Sequence, residues 1–348
     1  MRHSQEKDIN VIYVDKEKKV FKNIKNKDDL DDYIERYFHP QKHNYILVDE
    51  VQQIENFEEC ICSWYTEENT DVIITGSNSK MLSGDLSTLL AGRYIEIRVH
   101  PLTYTEFLEF HNLQDSDDAL MKYLNYGGLP GLRSIGVDND EHVWTYLSSV
   151  FNTIVLKDII ERHDIRNVAF LNNLISFYAD TTGKLTSANS ISKYMKSQGE
   201  NISSNLILLY RSFYEEAYLL NSVSRYDIHG KRLLESNEKV YWDDLGLRNH
   251  KADGSMDSYI EKVIENAVYK HLCFLGYKVQ VGILGAGEVD FVCTRKNETV
   301  YVQVTYLMGE QTTRDREFGP LKKIHDNYPK YVISASPLLT LRDEDGIK

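Results

Sequence analysis

Apolar residues along this chain follow two rhythms, one of period two and one near 3.6, and the switches between them predict its elements. Ile9-Asn10-Val11-Ile12-Tyr13-Val14 alternates as a strand. From Asp28 to Phe38 the apolar positions take helical spacing, with acids crowding the first turns, where the helix dipole favours them. Tyr45-Ile46-Leu47-Val48 is a continuous apolar run ending in Asp49-Glu50. That pattern predicts a strand buried on both faces, as in a parallel sheet. Val72-Ile73-Ile74 repeats it and ends in Thr75-Gly76-Ser77-Asn78. Residues 55–67 between the two runs fit a helix, so the stretch predicts a βαβ unit. Ligands of such sheets sit beyond the carboxyl ends of the strands. Thr75, Ser77 and Asn78 would therefore lie beside Asp49 and Glu50. Tyr94–Val99 alternates like a strand, and 103–112 and 117–126 read as helices. Gly127-Gly128-Leu129-Pro130-Gly131 then breaks the pattern, which places a domain boundary near residue 135.

The second part is helical. Residues 140–163 carry Val150, Ile154, Val155, Ile159 and Ile160 on one face and Lys157, Asp158, Glu161, Arg162 and His163 on the other. Helices are expected at 167–178, 186–196 and 203–214, followed by short strands at 223–226 and 240–242 around a polar turn. Helix, turn, helix and wing is a winged-helix pattern, with the helix from Ser203 as the groove reader. Ser204, Asn205, Tyr210, Arg211, Lys231 and Arg232 are its expected DNA contacts. Residues 184–235 hold seven Lys/Arg against five Asp/Glu. Winged helices also serve as protein interfaces, and the sequence leaves both partners open.

From 257 onward a helix at 259–272 precedes strands at 277–282, 288–293 and 299–306, a helix at 312–323 and a last strand at 331–334. A helical acid followed by acids on a strand is the PD-(D/E)xK nuclease arrangement, which gathers carboxylates around Mg2+ and adds a lysine beside the scissile phosphate. Glu265, Glu288 and Asp290 match the acids. The third strand reads Gln303-Val304-Thr305, with neither acid nor lysine. Gln is a neutral, weak ligand and Thr supplies no cation. The expectation is a restriction-nuclease-like fold with weak Mg2+ or Mn2+ binding and no efficient cleavage.

Composition narrows the setting. The 348 residues suffice for two or three domains. Net charge is −13, which excludes a globally basic nucleic-acid binder but not a local basic face. Cys60, Cys62, Cys273 and Cys293 fit neither a zinc ribbon nor a small disulfide scaffold. No apolar run approaches the ~20 residues of a membrane helix, and the N-terminus is polar. The sequence reads as cytoplasmic, with no membrane partner.

The strings LVDEVQQI, ITGSNSKMLSG, LAGRYIEIRVHPLTYTEF and GGLPG, in that order, resemble a large prokaryotic family of AAA-like P-loop ATPases with a C-terminal domain of unknown function. The resemblance covers nearly the whole chain. It implies ATP and Mg2+ as cofactors. It makes LVDE the Walker B strand, with Asp49 the Mg2+-associated acid and Glu50 the catalytic base. Ser77 or Asn78 would approach the γ-phosphate, and Arg93 would sense it. One departure stands out: no G-x-x-x-x-G-K-[ST] string occurs here, and Ile9–Val14 looks like the family's second strand. The chain reads as an N-terminally shortened member, weak in ATP binding and hydrolysis.

The fold class expected is therefore α/β in three parts. A truncated P-loop-type parallel sheet occupies 1–135, a helical winged-helix-like region 136–248, and a nuclease-like α/β domain 249–348. The functional alternatives are a non-hydrolysing module that binds protein or DNA, and a metal-dependent nuclease using Glu265, Glu288 and Asp290.

Overall fold

The computed structural model describes residues 8–77, 94–252, 258–285, 287–307, 311–335 and 345–348, apart from the side chains of Glu235, Ser236 and Gln311. Asn78 and Arg93 lie outside the described residues. The chain forms two compact units. One is Met1–Arg98 with Glu216–Tyr218; the other is Val99–Glu215 with Leu219–Lys348.

The first unit is built on a parallel sheet of β1 (Ile9–Asp15), β2 (His43–Asp49) and β3 (Thr70–Ile74), in that order. Helix α1 (Lys27–Tyr37) starts on a capping box, with Asn26 and Asp29 each accepting from the other's backbone. With α2 (Phe57–Tyr65) it covers one face of the sheet. Ile12, Val14, Ile46 and Val48 pack there against Leu30, Ile34, Phe57 and Trp64. On the other face Ile9, Val11 and Ile73 are more than half exposed. Strand β2 therefore alternates between buried and half-buried positions and is not buried on both faces as expected. Its continuous apolar run could not reveal this, because Tyr45 and Leu47 are as apolar as their buried neighbours. Residues 95–99 alternate but join no described ladder.

In the second unit α3 (Tyr104–His111) and α4 (Asp117–Tyr126) start on Thr103 and Ser116 caps. After a single turn, α5 (Leu132–Ile135), comes α6 (Asp140–Thr153), which continues as a π-helix over Ile154–Glu161. Three helices follow: α7 (Val168–Asp180), α8 (Ala188–Ser197) and α9 (Ser204–Glu216). The strands β4 (Leu220–Asp227) and β5 (Arg232–Trp242) form an antiparallel hairpin. Next come α10 (Leu245–Lys251) and α11 (Ile260–Phe274), then β6 (Lys278–Leu284), β7 (Gly287–Arg295), β8 (Glu298–Thr305), α12 (Gln311–Lys322) and β9 (Lys330–Ser334).

The hairpin is not a separate wing. Arg225, Tyr226 and Asp227 of β4 pair in parallel with Val281, Gly282 and Ile283 of β6. The result is one six-stranded sheet in the order β5-β4-β6-β7-β8-β9. Thus 220–242, assigned from sequence to the helical region, lies in the same sheet as the C-terminal strands. Alternation along β7 and β8 feeds two cores. Phe291, Cys293, Val300 and Val302 pack with Tyr269 and Leu272 of α11. Val292 and Tyr301 pack with Phe318 and Leu321 of α12.

The glycine-rich break at 127–131 is a buried junction, not a linker. Gly128 N donates to Asp244 Oδ2 at 2.8 Å, and Asp244 Oδ1 also caps α10 through Leu247 N at 3.0 Å. A Cβ on Gly127, whose φ is +77°, would lie 2.4 Å from Asp244 Oδ1. One on Gly128 would lie 2.2 Å from Leu102 O. Only glycine admits so close an approach.

Candidate functional site

Two acidic clusters carry the sequence-assigned residues. The first lies at the carboxyl edge of the parallel sheet. Strand β2 ends at Asp49, and Glu50 turns away in the left-handed region, at φ 54° and ψ 46°. A non-glycine residue there is uncommon, and such strain clusters at functional sites. Thr75, just past β3, donates its hydroxyl to Asp49 Oδ1 and accepts from Glu50 N at 3.3 Å. Glu50 Oε2 accepts from Gln52 Nε2 and from Ser77 Oγ at 3.3 Å. Asp49, Glu50 and Ser77 are thus brought together, as the sequence implied. Gln52, which links Glu50 to Ser77 (Nε2 to Oγ 3.1 Å), was not singled out. Mg2+ is commonly held by one or two carboxylates together with waters and substrate phosphates. A single acid at the strand edge, Asp49, fits that partial role.

The second cluster lies in the six-stranded sheet. Its centre is Lys239 of β5, only 3% exposed. Its Nζ lies 2.7 Å from Glu288 Oε1, 2.8 Å from Glu265 Oε1 and 3.4 Å from Asp290 Oδ1. Tyr241, two residues on and facing the same side, donates its hydroxyl to Glu265 Oε1. Asp290 Oδ2 accepts from Val304 N at 2.9 Å. Gln303 holds two groups at once: its Oε1 accepts from Asp290 N at 3.2 Å and its Nε2 donates to Glu317 Oε2 at 2.9 Å. Glu317, itself buried, is also paired with the exposed Arg316. Glu265, Glu288, Asp290 and Gln303 therefore share one neighbourhood.

Electrostatics follow from burial and from these neighbours. Burial alone would lower the pKa of the Lys239 ammonium, but the charges of Glu265, Asp290 and Glu288 overcome it and raise it. Asp290 is raised from the ordinary carboxylate range, first by burial and then by the Glu265 charge, against the pull of Lys239. Burial, with Glu265 next, also raises the Tyr241 phenol. Among the described residues no group of three His, Cys, Asp or Glu is disposed to hold a metal ion. An ammonium stands where the carboxylates of Glu265, Glu288 and Asp290 converge.

Sequence reasoning missed Lys239, Tyr241 and Glu317. A lysine in a strand near a turn looks like any solvated lysine. The one available signal was an alternation that puts Lys239 and Tyr241 on the same face as the buried Val223 side of the hairpin.

The expected DNA contacts fare unevenly. Tyr210 is 6% exposed and packs on Phe170 and Phe213, so it belongs to the core. Arg211 is tied to Glu238 at 2.8 Å and to Glu215 at 3.7 Å. Ser204 Oγ donates to Asn189 Oδ1 at 2.6 Å. Asn205 and Lys231 are exposed, and Arg232 is exposed with Asp227 3.7 Å away. The outer face of α9 also shows Leu208 and Leu209, each over two-fifths exposed. Spacing on a helix cannot separate inward Tyr210 and its neighbours from outward ones until the packing partner, α7, is known.

Residues 1–108 match the model of a family described as an AAA domain, and residues 117–258 match a domain of unknown function, DUF8612. An uncharacterized protein of Haemophilus influenzae is 35% identical over 331 residues, covering 94% of this chain and 81% of that one. The chain belongs to that protein's family. An uncharacterized protein of Methanocaldococcus jannaschii is 28% identical over 295 residues, and the chain spans 64% of its length. Among solved structures, a Walker-type ATPase of Pyrococcus abyssi is similar at TM-score 0.41 and 13% identity, over 64% of this chain and 66% of that one. The Aeropyrum pernix ORC1 protein in complex with DNA is similar at TM-score 0.32 and 12% identity, over 72% and 78%. The AAA-domain match covers the first 108 residues, the stretch that holds Asp49, Glu50 and Ser77. No helix among the described residues is long and apolar enough to cross a membrane.

Proposed function

We propose that this is an AAA-type, ATPase-like protein in which Asp49 is the Mg2+-associated acid, Glu50 the base that polarises water and Ser77 the polar sensor of phosphate. One observation carries this reading. Asp49, Glu50, Thr75 and Ser77 form one hydrogen-bonded set at the carboxyl edge of a parallel sheet, with Glu50 in a strained backbone conformation. The 348 residues contain no G-x-x-x-x-G-K-[ST] string to cradle the β- and γ-phosphates. On this reading the chain by itself is weak in ATP binding and hydrolysis. Isothermal titration with Mg-ATP is expected to give a Kd no tighter than ~1 mM, about 4 kcal/mol. Micromolar affinity would show that another part of these residues binds the phosphates.

The helical region is the partner-binding part of this reading. Asn205, Lys231 and Arg232 keep DNA open as a partner, while exposed Leu208 and Leu209 favour a protein. Nuclease activity is not part of it, since Lys239 already takes up the three acids a metal would need. Plasmid DNA incubated with the protein and Mg2+ or Mn2+ is expected to stay uncut beyond background. Metal-dependent nicking that disappears in Asp290→Ala would reverse that assignment.

A further inference from the structure

The ammonium of Lys239 and its acids match in number. A protonated lysine has three N–H donors and no acceptor. Three carboxylate oxygens face it, one each from Glu265, Glu288 and Asp290, at 2.7 to 3.4 Å. They come from two elements, the helix α11 and two positions of β7, while the lysine arrives from the far edge of the sheet on β5. The remaining polar groups are occupied elsewhere: Tyr241 on Glu265, Val304 N on Asp290, and Gln303 between Asp290 N and Glu317. Gly183 leaves its side open for the acid; a Cβ there would press to 3.0 Å from Glu265 Oε2.

We propose that Lys239 is a tethered counter-ion that fills the cation position of this carboxylate cluster and keeps divalent metal out of it. The inference is independent of the nucleotide reading, which concerns other residues. A role for Lys239 as a phosphate ligand fits less well. Its donors are spent on protein acids, its side chain is 3% exposed, and three carboxylates against one ammonium leave the cluster negative, which repels a phosphodiester. An ammonium held on its own chain has no entropy of association to overcome, whereas a metal ion must be captured from solution and stripped of water. The second unit therefore completes its polar centre without metal.

Mn2+ binding to the full chain, read by electron paramagnetic resonance, tests this. Lys239→Ala is expected to gain one Mn2+ site with Kd on the order of 10⁻⁴ M, comparable to weak all-oxygen calcium sites. Adding Asp290→Asn to that variant is expected to abolish the gain. In the wild-type background Asp290→Asn is expected to leave Mn2+ binding unchanged. A folded Lys239→Ala that gains no site would overturn the proposal. So would a wild-type Mn2+ site that vanishes in Asp290→Asn, because the metal would then share or displace the ammonium. If Lys239→Ala does not fold, the wild-type and Asp290→Asn comparison decides alone.

Discussion

Replacing Lys239 by Met is expected to lower the melting temperature of the second unit by roughly 6–12 °C at pH 8, and by much less at pH 5. Met keeps most of the apolar stem and removes only the charge. Three carboxylates, 11–35% exposed, are then left facing one another without a cation. Removing one partner of a buried ion pair costs about 3–5 kcal/mol. Partial exposure of Glu265 and Glu288 holds this near ~3 kcal/mol, since water screens part of the repulsion. For a unit of this size ~3 kcal/mol corresponds to the stated shift. The pH dependence has a definite sign. Asp290 already has a folded pKa above the ordinary range, and loss of the ammonium removes the Lys239 charge that lowers it. An acid with a raised folded pKa costs nothing below its unfolded value, ~4, and costs most above its folded one. The gap from wild type should therefore narrow as pH falls. Calorimetric melts at the two pH values check it. A gap that is constant with pH would show that Lys239 acts through packing alone.

Arg248→Ala is expected to destabilise the second unit by about 4 kcal/mol in urea. Arg248 has no exposed surface. Its Nε and Nη2 donate to Ala179 O at 3.1 and 2.8 Å, and its Nη1 donates to Asn249 Oδ1 at 3.0 Å. The guanidinium also lies 4.0 Å from the centre of the Tyr259 ring. Ala179 is in the last turn of α7, where carbonyls lack helical partners and a cation is favoured. Asn249 in turn donates to Leu124 O and Asn125 O near the end of α4. One side chain thus joins α7 to α10, and its neighbour joins α10 to α4. Truncation leaves a cavity and takes both guanidinium donors from the Ala179 carbonyl, which keeps only the Thr182 hydroxyl at 2.9 Å, and these losses add. Burial lowers the Arg248 pKa to about 10, so it is still charged at neutral pH. Arg248→Lys should recover less than half of the loss, because a single ammonium cannot span both acceptors in a planar fork. A loss below ~1.5 kcal/mol would mean that water takes over the guanidinium's bonds.

Much of this protein was written in local patterns. Helices at 117–126 and near 104–111, 168–180, 188–197, 204–216 and 260–274 follow from apolar spacing, and the first four also from Asn, Ser and Thr caps, which act within a few residues. The strand ends that gather Asp49, Glu50 and Ser77 follow from two apolar runs that stop in polar residues, because parallel strands joined by a helix share one carboxyl edge. For Glu265 and Asp290 the motif pattern left two outcomes open, convergence or pairing of Glu265 with a lysine, and both acids lie against Lys239.

Tertiary structure decided the rest. Whether the first sheet is covered on one face or two depends on which helices pack on it, and Tyr45 and Leu47 read the same either way. Tyr210 is a core residue and Arg211 an ion-paired one because α9 packs against α7 and reaches Glu238 of β5, contacts tens of residues away. The Gly127-Gly128 break is a junction and not a linker because Asp244, 116 residues on, occupies the space a side chain would need. Lys239 is the clearest case. By its local sequence it is one polar residue in a strand, and burying it alone would cost several kcal/mol. The parallel pairing of β4 with β6 joins the hairpin to the C-terminal strands, whose acids meet the lysine across the sheet. Pairing across a sheet is set by long-range register, and no window of neighbouring residues contains it.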